Sequence, residues 1–85
     1  MVPDQDPSTI KSGFYAVADA EGMVLAVMVD WRLGAAQEVS RVLSNATNES
    51  TFLHHIWTDV PPRVGETLSD LARGSEVHSP LMVSP

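Results

Sequence analysis

The apolar run at residues 23–31, MVLAVMVDW, constrains the fold more than any other feature of the chain. Successive side chains of a β-strand point to opposite faces of the sheet, so a strand with one solvated face alternates apolar and polar residues. Here both alternating sets are mostly apolar, namely Met23, Leu25, Val27, Val29 and Trp31 on one face and Val24, Ala26, Met28 and Asp30 on the other. We therefore expect a strand that is covered on both faces, either by the chain's own helix and loops or by a partner such as a second copy.

A second strand-like run, FYAVA at residues 14–18, precedes it. The two runs are joined by DAEG, a short polar link that ends in Gly22. Glycine tolerates the positive φ that hairpin loops of about three to five residues often need. The two runs together predict a β-hairpin.

The next segment has apolar residues at helical spacing and a Glu38–Arg41 pair that favours a helix. The apolar positions are Ala35, Ala36, Val39, Val42, Leu43 and Ala46, and the positions expected to face away are Gln37, Glu38, Ser40, Arg41 and Ser44. The following letters, NATNES, favour caps and turns. The sequence thus predicts one main helix that ends near Asn45.

Residues 51–60, TFLHHIWTDV, are rich in β-branched and aromatic residues and stop at a double proline. This composition predicts a strand, although part of the segment also fits helical spacing. Beyond the prolines, apolar residues predict a short helix over residues 66–73 with Gly74 as its C-terminal stop. The competing interpretation of that segment is a turn leading into a short strand. Val77 either pairs as an edge strand or belongs to a tail.

This order of elements predicts a small α+β domain with an antiparallel sheet of about three to four strands and one main helix packed on one face. A chain of 85 residues has room for a single domain. We expect a flexible N-terminal arm at residues 1–12, the domain at residues 13–79, and a flexible C-terminal tail at residues 80–85. An apolar sheet face that the chain covers only in part would favour association with another molecule.

The adjacent histidines, His54 and His55, are the strongest candidates for chemistry. In a strand they point to opposite faces and cannot bind one metal ion. His55 and Asp59 share a face. They could form an ion pair, act as a general base with an orienting carboxylate, or serve as two of three metal ligands with His78 as the third. No nucleophile motif accompanies them, so we expect a packed or rim-exposed histidine pair, no metal and no cofactor.

The net charge of the chain limits the kinds of molecule that it can bind. The chain carries 11 acidic and 5 basic residues, a net charge of −6, which disfavours binding to nucleic acid phosphates. It contains no cysteine, and no apolar run reaches the roughly 18 residues that a membrane span requires. We expect a soluble cytoplasmic protein whose partner is neither a membrane nor a nucleic acid.

These features predict a small acidic, non-enzymatic protein-interaction module, such as a regulator or inhibitor of the antitoxin, immunity-protein or phage-accessory type. Its partner would be another protein or a second copy, bound through the sheet. Large apolar side chains are the expected contacts, since they are frequent where one surface closes on another. The interface candidates are Trp31, Trp57, Met28 and Phe52. The alternative function is a small enzyme or ligand-binding domain that uses His55 and Asp59.

Overall fold

A computed structural model of the chain describes residues 12–29 and 32–85. The elements within these ranges are β1 (Ser12–Ala18), β2 (Val24–Val29), α1 (Leu33–Thr47), β3 (Thr51–Thr58), α2 (Leu68–Leu71), β4 (Glu76–Val77) and β5 (Leu81–Val83). The strands form one antiparallel sheet in the order β2-β1-β3-β4, and β5 pairs with β3 beside β4. The predicted α+β class is confirmed, with α1 packed on one face. Apart from Ser12, the predicted N-terminal arm lies outside the described residues, as does Trp31.

The predicted hairpin is confirmed, because β1 and β2 pair in antiparallel register. Gly22 has a φ of 86°, the left-handed conformation expected for the end of the loop. The Asp19 carboxylate closes the turn by accepting hydrogen bonds from the Glu21 and Met23 backbone N–H groups at 3.0 and 2.9 Å. Asp19 thereby satisfies two donors that the turn would otherwise leave to water.

The two apolar faces of β2 contact two separate clusters of the same chain. One cluster, the α1 core, consists of Val17, Ala36 and Leu53, and Ala26 and Met28 pack against it. The other, the α2 core, lies on the opposite face and consists of Ala16, Val24, Ile56 and Leu71, with Val27 packed against it. The two-sided pattern is thus explained by the chain's own helices, although β2 occupies an edge of the sheet rather than its centre.

The main helix buries part of the predicted face, since Ala36, Val39 and Leu43 pack in the α1 core, but it also buries two serines. Ser40 and Ser44 were expected to face away, and both are fully buried, whereas Val42 is 53% exposed. The buried stripe is Ala36, Ser40 and Ser44, four residues apart, and these small side chains allow α1 to lie close to the sheet. The helix continues to Thr47, two residues past the predicted stop.

Hydroxyl groups satisfy each other where α1 meets the sheet. Thr51 in β3 donates to the Ser40 carbonyl at 2.9 Å, and its oxygen lies 2.7 Å from Ser40 Oγ. Ser44 Oγ is within hydrogen-bonding distance of the Glu49 and Val83 carbonyl oxygens, at 2.7 and 2.6 Å. Among the described residues, no buried side-chain nitrogen or oxygen lacks a partner. The polar stripe therefore carries no unsatisfied burial cost.

At the exposed surface of α1, Arg41 donates to the Glu38 carboxylate. This hydrogen bond and the attraction between the two charges raise the pKa of Arg41 above its usual value. The contact is the predicted pair three residues apart.

The short second helix, α2, covers the face opposite α1. Thr67 caps its N-terminus by accepting a hydrogen bond from Asp70 N at 3.2 Å. It covers residues 68–71 only, the middle of the predicted range, and Leu71 is buried in the α2 core. Neither helix in the described part of the chain has the length and apolarity to cross a membrane.

Both β4 and β5 run along the same edge of β3. Val77 lies opposite Ile56 and Leu81 lies opposite Leu53, so one extra residue is inserted between the two registers. Pro80 lies in this interruption, consistent with the confinement of proline to edges and bulges. Of the two interpretations of Val77, an edge strand or a tail, the structure has the edge strand. β5 falls within residues 80–85, which were expected to form a tail.

Candidate functional site

The central strand, β3, separates the two adjacent histidines. His55 lies opposite Tyr15 and His54 lies opposite Ala16 in the ladder with β1. Directly opposite residues of antiparallel strands share a face, so His55 is on the α1 side and His54 on the α2 side. Their environments differ accordingly, since His54 is buried and His55 is half-buried.

The His54 ring supports the interrupted edge of the sheet. Its Nδ1 lies 2.9 Å from the backbone oxygen of His78, next to the register change between β4 and β5. A carbonyl oxygen only accepts, so His54 Nδ1 carries the hydrogen. His54 is 9% exposed, and we assign it a structural role.

His55 is paired with His78 across the strands. The His78 N–H donates to the His55 carbonyl at 3.0 Å, which extends the β4 ladder by one residue. This pairing brings the two side chains together, with their Nδ1 atoms 3.2 Å apart and their ring centroids 5.1 Å apart. The two imidazoles therefore form one polar unit from residues that are 23 positions apart in the sequence.

Glu76 extends this unit. Its Oε1 lies 3.2 Å from His78 Nε2, and the two residues share a face because they are two apart in an extended segment. An ionised carboxylate only accepts, so His78 Nε2 carries a hydrogen. In a neutral His78, Nδ1 then holds the lone pair and accepts a hydrogen bond from His55. We call these three residues, His55, His78 and Glu76, the histidine array.

Aromatic rings flank the histidine array. The Tyr15 ring centroid is 5.2 Å from that of His55, and the Trp57 centroid is 6.4 Å from it. Trp57 is 39% exposed, and the His78 and Glu76 side chains are 46% and 65% exposed. The array is thus open to solvent at one side and supported by apolar surface at the other.

Asp59, the predicted partner of His55, lies just past the end of β3 and is exposed. It lines a shallow cleft together with Glu66 and Asp70, below α2. His55 does not line that cleft, so the structure places the two residues in different surroundings. The pairing of His55 with Asp59 stays a prediction. The spacing of Glu76 and His78 is the sequence signal that indicates the array, and it requires residues 76–78 to be extended.

The described interface candidates lie in three places. Met28 is half-buried against the α1 core, and Phe52 is half-buried on the opposite face, next to the exposed Met82 of β5. Trp57 is exposed beside the histidine array, and Trp31 lies outside the described residues. Of the three described candidates, Phe52 lies on the opposite face of the sheet from Met28 and Trp57, so the three do not share one surface.

The outer edge of β2 presents unpaired main-chain groups. The His55 carbonyl bonds toward β4, so in the alternating antiparallel ladder Tyr15, opposite His55, directs its N–H and C=O toward β2. Tyr15 pairs with Met28, so the Met28 N–H and C=O groups point toward β1. The main-chain groups of the residues on either side of Met28 point away from β1. Val27 and Val29 therefore direct their N–H and C=O groups away from the sheet.

The rest of that edge is covered by the chain itself. Val24 exchanges backbone hydrogen bonds with Glu66 and Gly65 at 2.8 and 2.9 Å, and Leu68 N donates to Gly22 O. Beyond Val24, no residue of the described ranges pairs with the outer side of β2. The uncovered part, residues 25–29, has the sequence LAVMV.

No protein family, curated protein or solved structure matches this chain. Within residues 12–29 and 32–85, no group of three or more His, Cys, Asp or Glu side chains is arranged as a metal site. The outer edge of β2 and the histidine array are the two surface features that bear on function.

Proposed function

We propose that the protein is a small acidic, non-enzymatic protein-interaction module of the regulator or inhibitor type, and that its binding element is the outer edge of β2. The partner that fits this edge is a second copy of the chain. The observation that carries the proposal is the outward direction of the Val27 and Val29 main-chain groups. An exposed strand edge of this kind is a template for pairing with another chain.

The two edges of the sheet differ in a way that supports this choice. The β4–β5 edge is short, acidic at Glu76 and interrupted at Pro80, which are common protections against strand pairing. The β2 edge has no charged residue and no proline from Val24 to Val29. Pairing is therefore favoured at β2 and disfavoured at the opposite edge.

A second copy fits because the edge can pair with itself. With a twofold axis at Val27, each Val27 lies opposite its counterpart and Ala26 lies opposite Met28, whereas Leu25, the extra residue where the β1–β2 register shifts, lies at the end of the contact. Opposed residues then share a face of a sheet that continues through both copies. The Val27 groups point outward and form a hydrogen-bonded pair on the axis. Residues 25–29 contain no charged side chain, so this contact places no like charges of the two acidic chains directly opposite each other.

The test is the mass of the full chain in solution, measured by light scattering and sedimentation over a range of concentrations. We expect twice the 9.2 kDa of one chain. Val29→Lys places a charge at the pairing edge and should give the mass of one chain. Val42→Lys is the matched control, because Val42 is an exposed valine on α1 and its replacement changes the net charge equally.

Three results would overturn the proposal. The first is a wild-type chain of single mass at all concentrations. The second is equal dissociation by Val29→Lys and Val42→Lys, since net charge rather than the β2 edge would then control association. The third is a Val29→Lys chain that keeps the dimer mass, which would contradict the assignment of the edge.

The alternative, a small enzyme or ligand-binding domain, draws its support from His55 rather than from a His55–Asp59 pair. His55 contacts His78, which in turn contacts Glu76, whereas Asp59 lines the cleft below α2. His55, His78 and Glu76 lie across the sheet from β2, so a ligand could bind to them with or without the dimer.

A further inference from the structure

We infer that His55 and His78 form a binding site for a divalent transition-metal cation, with Zn²⁺ the best fit, in which the two Nδ1 atoms are ligands. Glu76 holds His78 in place from the other side of its ring. This site is independent of the proposed dimer, because its residues lie on β3 and the β4 edge, across the sheet from β2.

The spacing of the two nitrogens matches a shared cation. Two imidazole nitrogens at about 2.0–2.1 Å from a tetrahedral Zn²⁺ lie about 3.3–3.4 Å apart. His55 Nδ1 and His78 Nδ1 are 3.2 Å apart. In the metal-free chain a hydrogen bond holds the two Nδ1 atoms at nearly the separation that the cation requires. When the cation binds, the hydrogen on His55 Nδ1 moves through solvent to Nε2 of the same ring, which leaves a lone pair on each Nδ1.

A second feature that favours metal binding is the Glu76 carboxylate, which contacts the side of the His78 ring that faces away from His55. Histidines that bind metals usually donate their other ring N–H to a carboxylate, a carbonyl or water, which fixes the tautomer and the ring orientation. Glu76 Oε1 lies 3.2 Å from His78 Nε2 and accepts its hydrogen. The lone pair of a neutral His78 is then on Nδ1, the atom that faces His55. His54 has the opposite tautomer to His78, since the hydrogen of His54 is on Nδ1, which donates to a carbonyl.

The donor set also selects the class of cation. Imidazole nitrogen suits Zn²⁺, Cu²⁺ and Ni²⁺, whereas Mg²⁺ and Ca²⁺ prefer oxygen ligands. Within residues 12–29 and 32–85, no third His, Cys, Asp or Glu joins the two imidazoles, and any position that the chain leaves open is available to water or to a ligand from another molecule. A cation held in this way is exposed and open to exchange, as in sites that bind a further ligand.

The experiment is a calorimetric titration of the full chain with ZnCl₂, accompanied by ¹⁵N spectra of the imidazoles. We expect one Zn²⁺ per chain, no binding of Mg²⁺, and a shift of the Nδ1 signals of His55 and His78 but not of His54. His55→Ala and His78→Ala should each abolish the binding. Glu76→Gln should weaken it by about 10–100-fold, because the orienting acceptor is less basic.

Asp59→Asn is the matched control, since it removes a carboxylate from the cleft below α2 and leaves the histidine array intact. It should bind Zn²⁺ as the wild type does. The inference is wrong if the wild-type chain shows no Zn²⁺ binding, if His78→Ala retains it, or if Asp59→Asn loses it. The imidazole spectra of the wild-type chain test the site even where a variant fails to fold. Unshifted His55 and His78 signals at saturating Zn²⁺ would exclude metal binding by these residues.

Discussion

Thr51 in β3 and Ser40 in α1 are joined by two hydrogen bonds inside the protein. The Thr51 hydroxyl donates to the Ser40 carbonyl at 2.9 Å, and the two side-chain oxygens are 2.7 Å apart. Since the Thr51 hydrogen is engaged by the carbonyl, the Ser40 hydroxyl donates to Thr51 Oγ1. Both side chains are fully buried, so this pair ties the main helix to the central strand where water cannot replace either bond.

Replacing Thr51 by valine keeps the shape of the side chain and removes the hydroxyl. The Ser40 hydroxyl then loses its buried acceptor, and we expect the free energy of unfolding to fall by about 1–3 kcal/mol. Urea unfolding measures the change. Thr47→Val is the control, because the Thr47 hydroxyl donates to the Leu43 carbonyl at an exposed position where water can substitute. Equal losses in the two variants would contradict the role of the buried pair.

Gly22→Ala tests the hairpin loop. Gly22 has a φ of 86°, which costs an L-residue about 1–2 kcal/mol, and we expect the stability to fall by that amount. A Cβ at this position would meet Leu68 at 3.9 Å, an ordinary contact, so the loss reports conformation and not a clash. Gly74→Ala provides the comparison, since Gly74 has no positive φ and open space around it, and should be nearly neutral. A Gly22→Ala chain as stable as Gly74→Ala would show that the turn differs in solution.

The hydrogen-bond partners of the histidines predict their tautomers. His54 should carry its hydrogen on Nδ1 and His78 on Nε2, because each of these atoms faces an oxygen that only accepts. Long-range ¹H–¹⁵N spectra of the metal-free chain, recorded under mildly alkaline conditions that favour neutral imidazoles, distinguish the two forms. A His54 ring protonated on Nε2 would mean that it does not support the β4–β5 edge as described.

The elements with strong local signals were predicted correctly from the sequence. The hairpin was indicated by two apolar runs around a glycine-containing link, and β3 by its β-branched and aromatic residues before the double proline. In both cases the residues that determine the structure are neighbours in the chain. The α1 helix was also predicted, because its apolar residues recur at helical spacing.

The incorrect predictions share one physical cause. The residues concerned are stabilised by partners that are distant in the sequence. Ser40 and Ser44 are polar and were expected at the surface, but Thr51 and the Val83 carbonyl satisfy their hydroxyls in the interior. β5 is three residues long and is stabilised by pairing with β3, about 30 residues earlier. Local propensity contains no information about either contact.

The histidine array shows the same limit. Side-chain alternation separates His54 from His55, as expected for a strand, but it does not identify the residue on the next strand. His78 reaches His55 through the register of β4, and Glu76 follows from the same register. Only the pairing of the strands brings the three side chains together.

The central position of β3 has a consequence for how the chain folds. Its two neighbours come from opposite sides in the sequence, β1 before it and β4 and β5 after it. Until β5 pairs with β3, the edge of β3 at residues 51–53 is open and Ser44 lacks the Val83 carbonyl. The contacts that complete the sheet join residues about 30 positions apart, and pairings of this kind form slowly because the chain between them must close into a loop first.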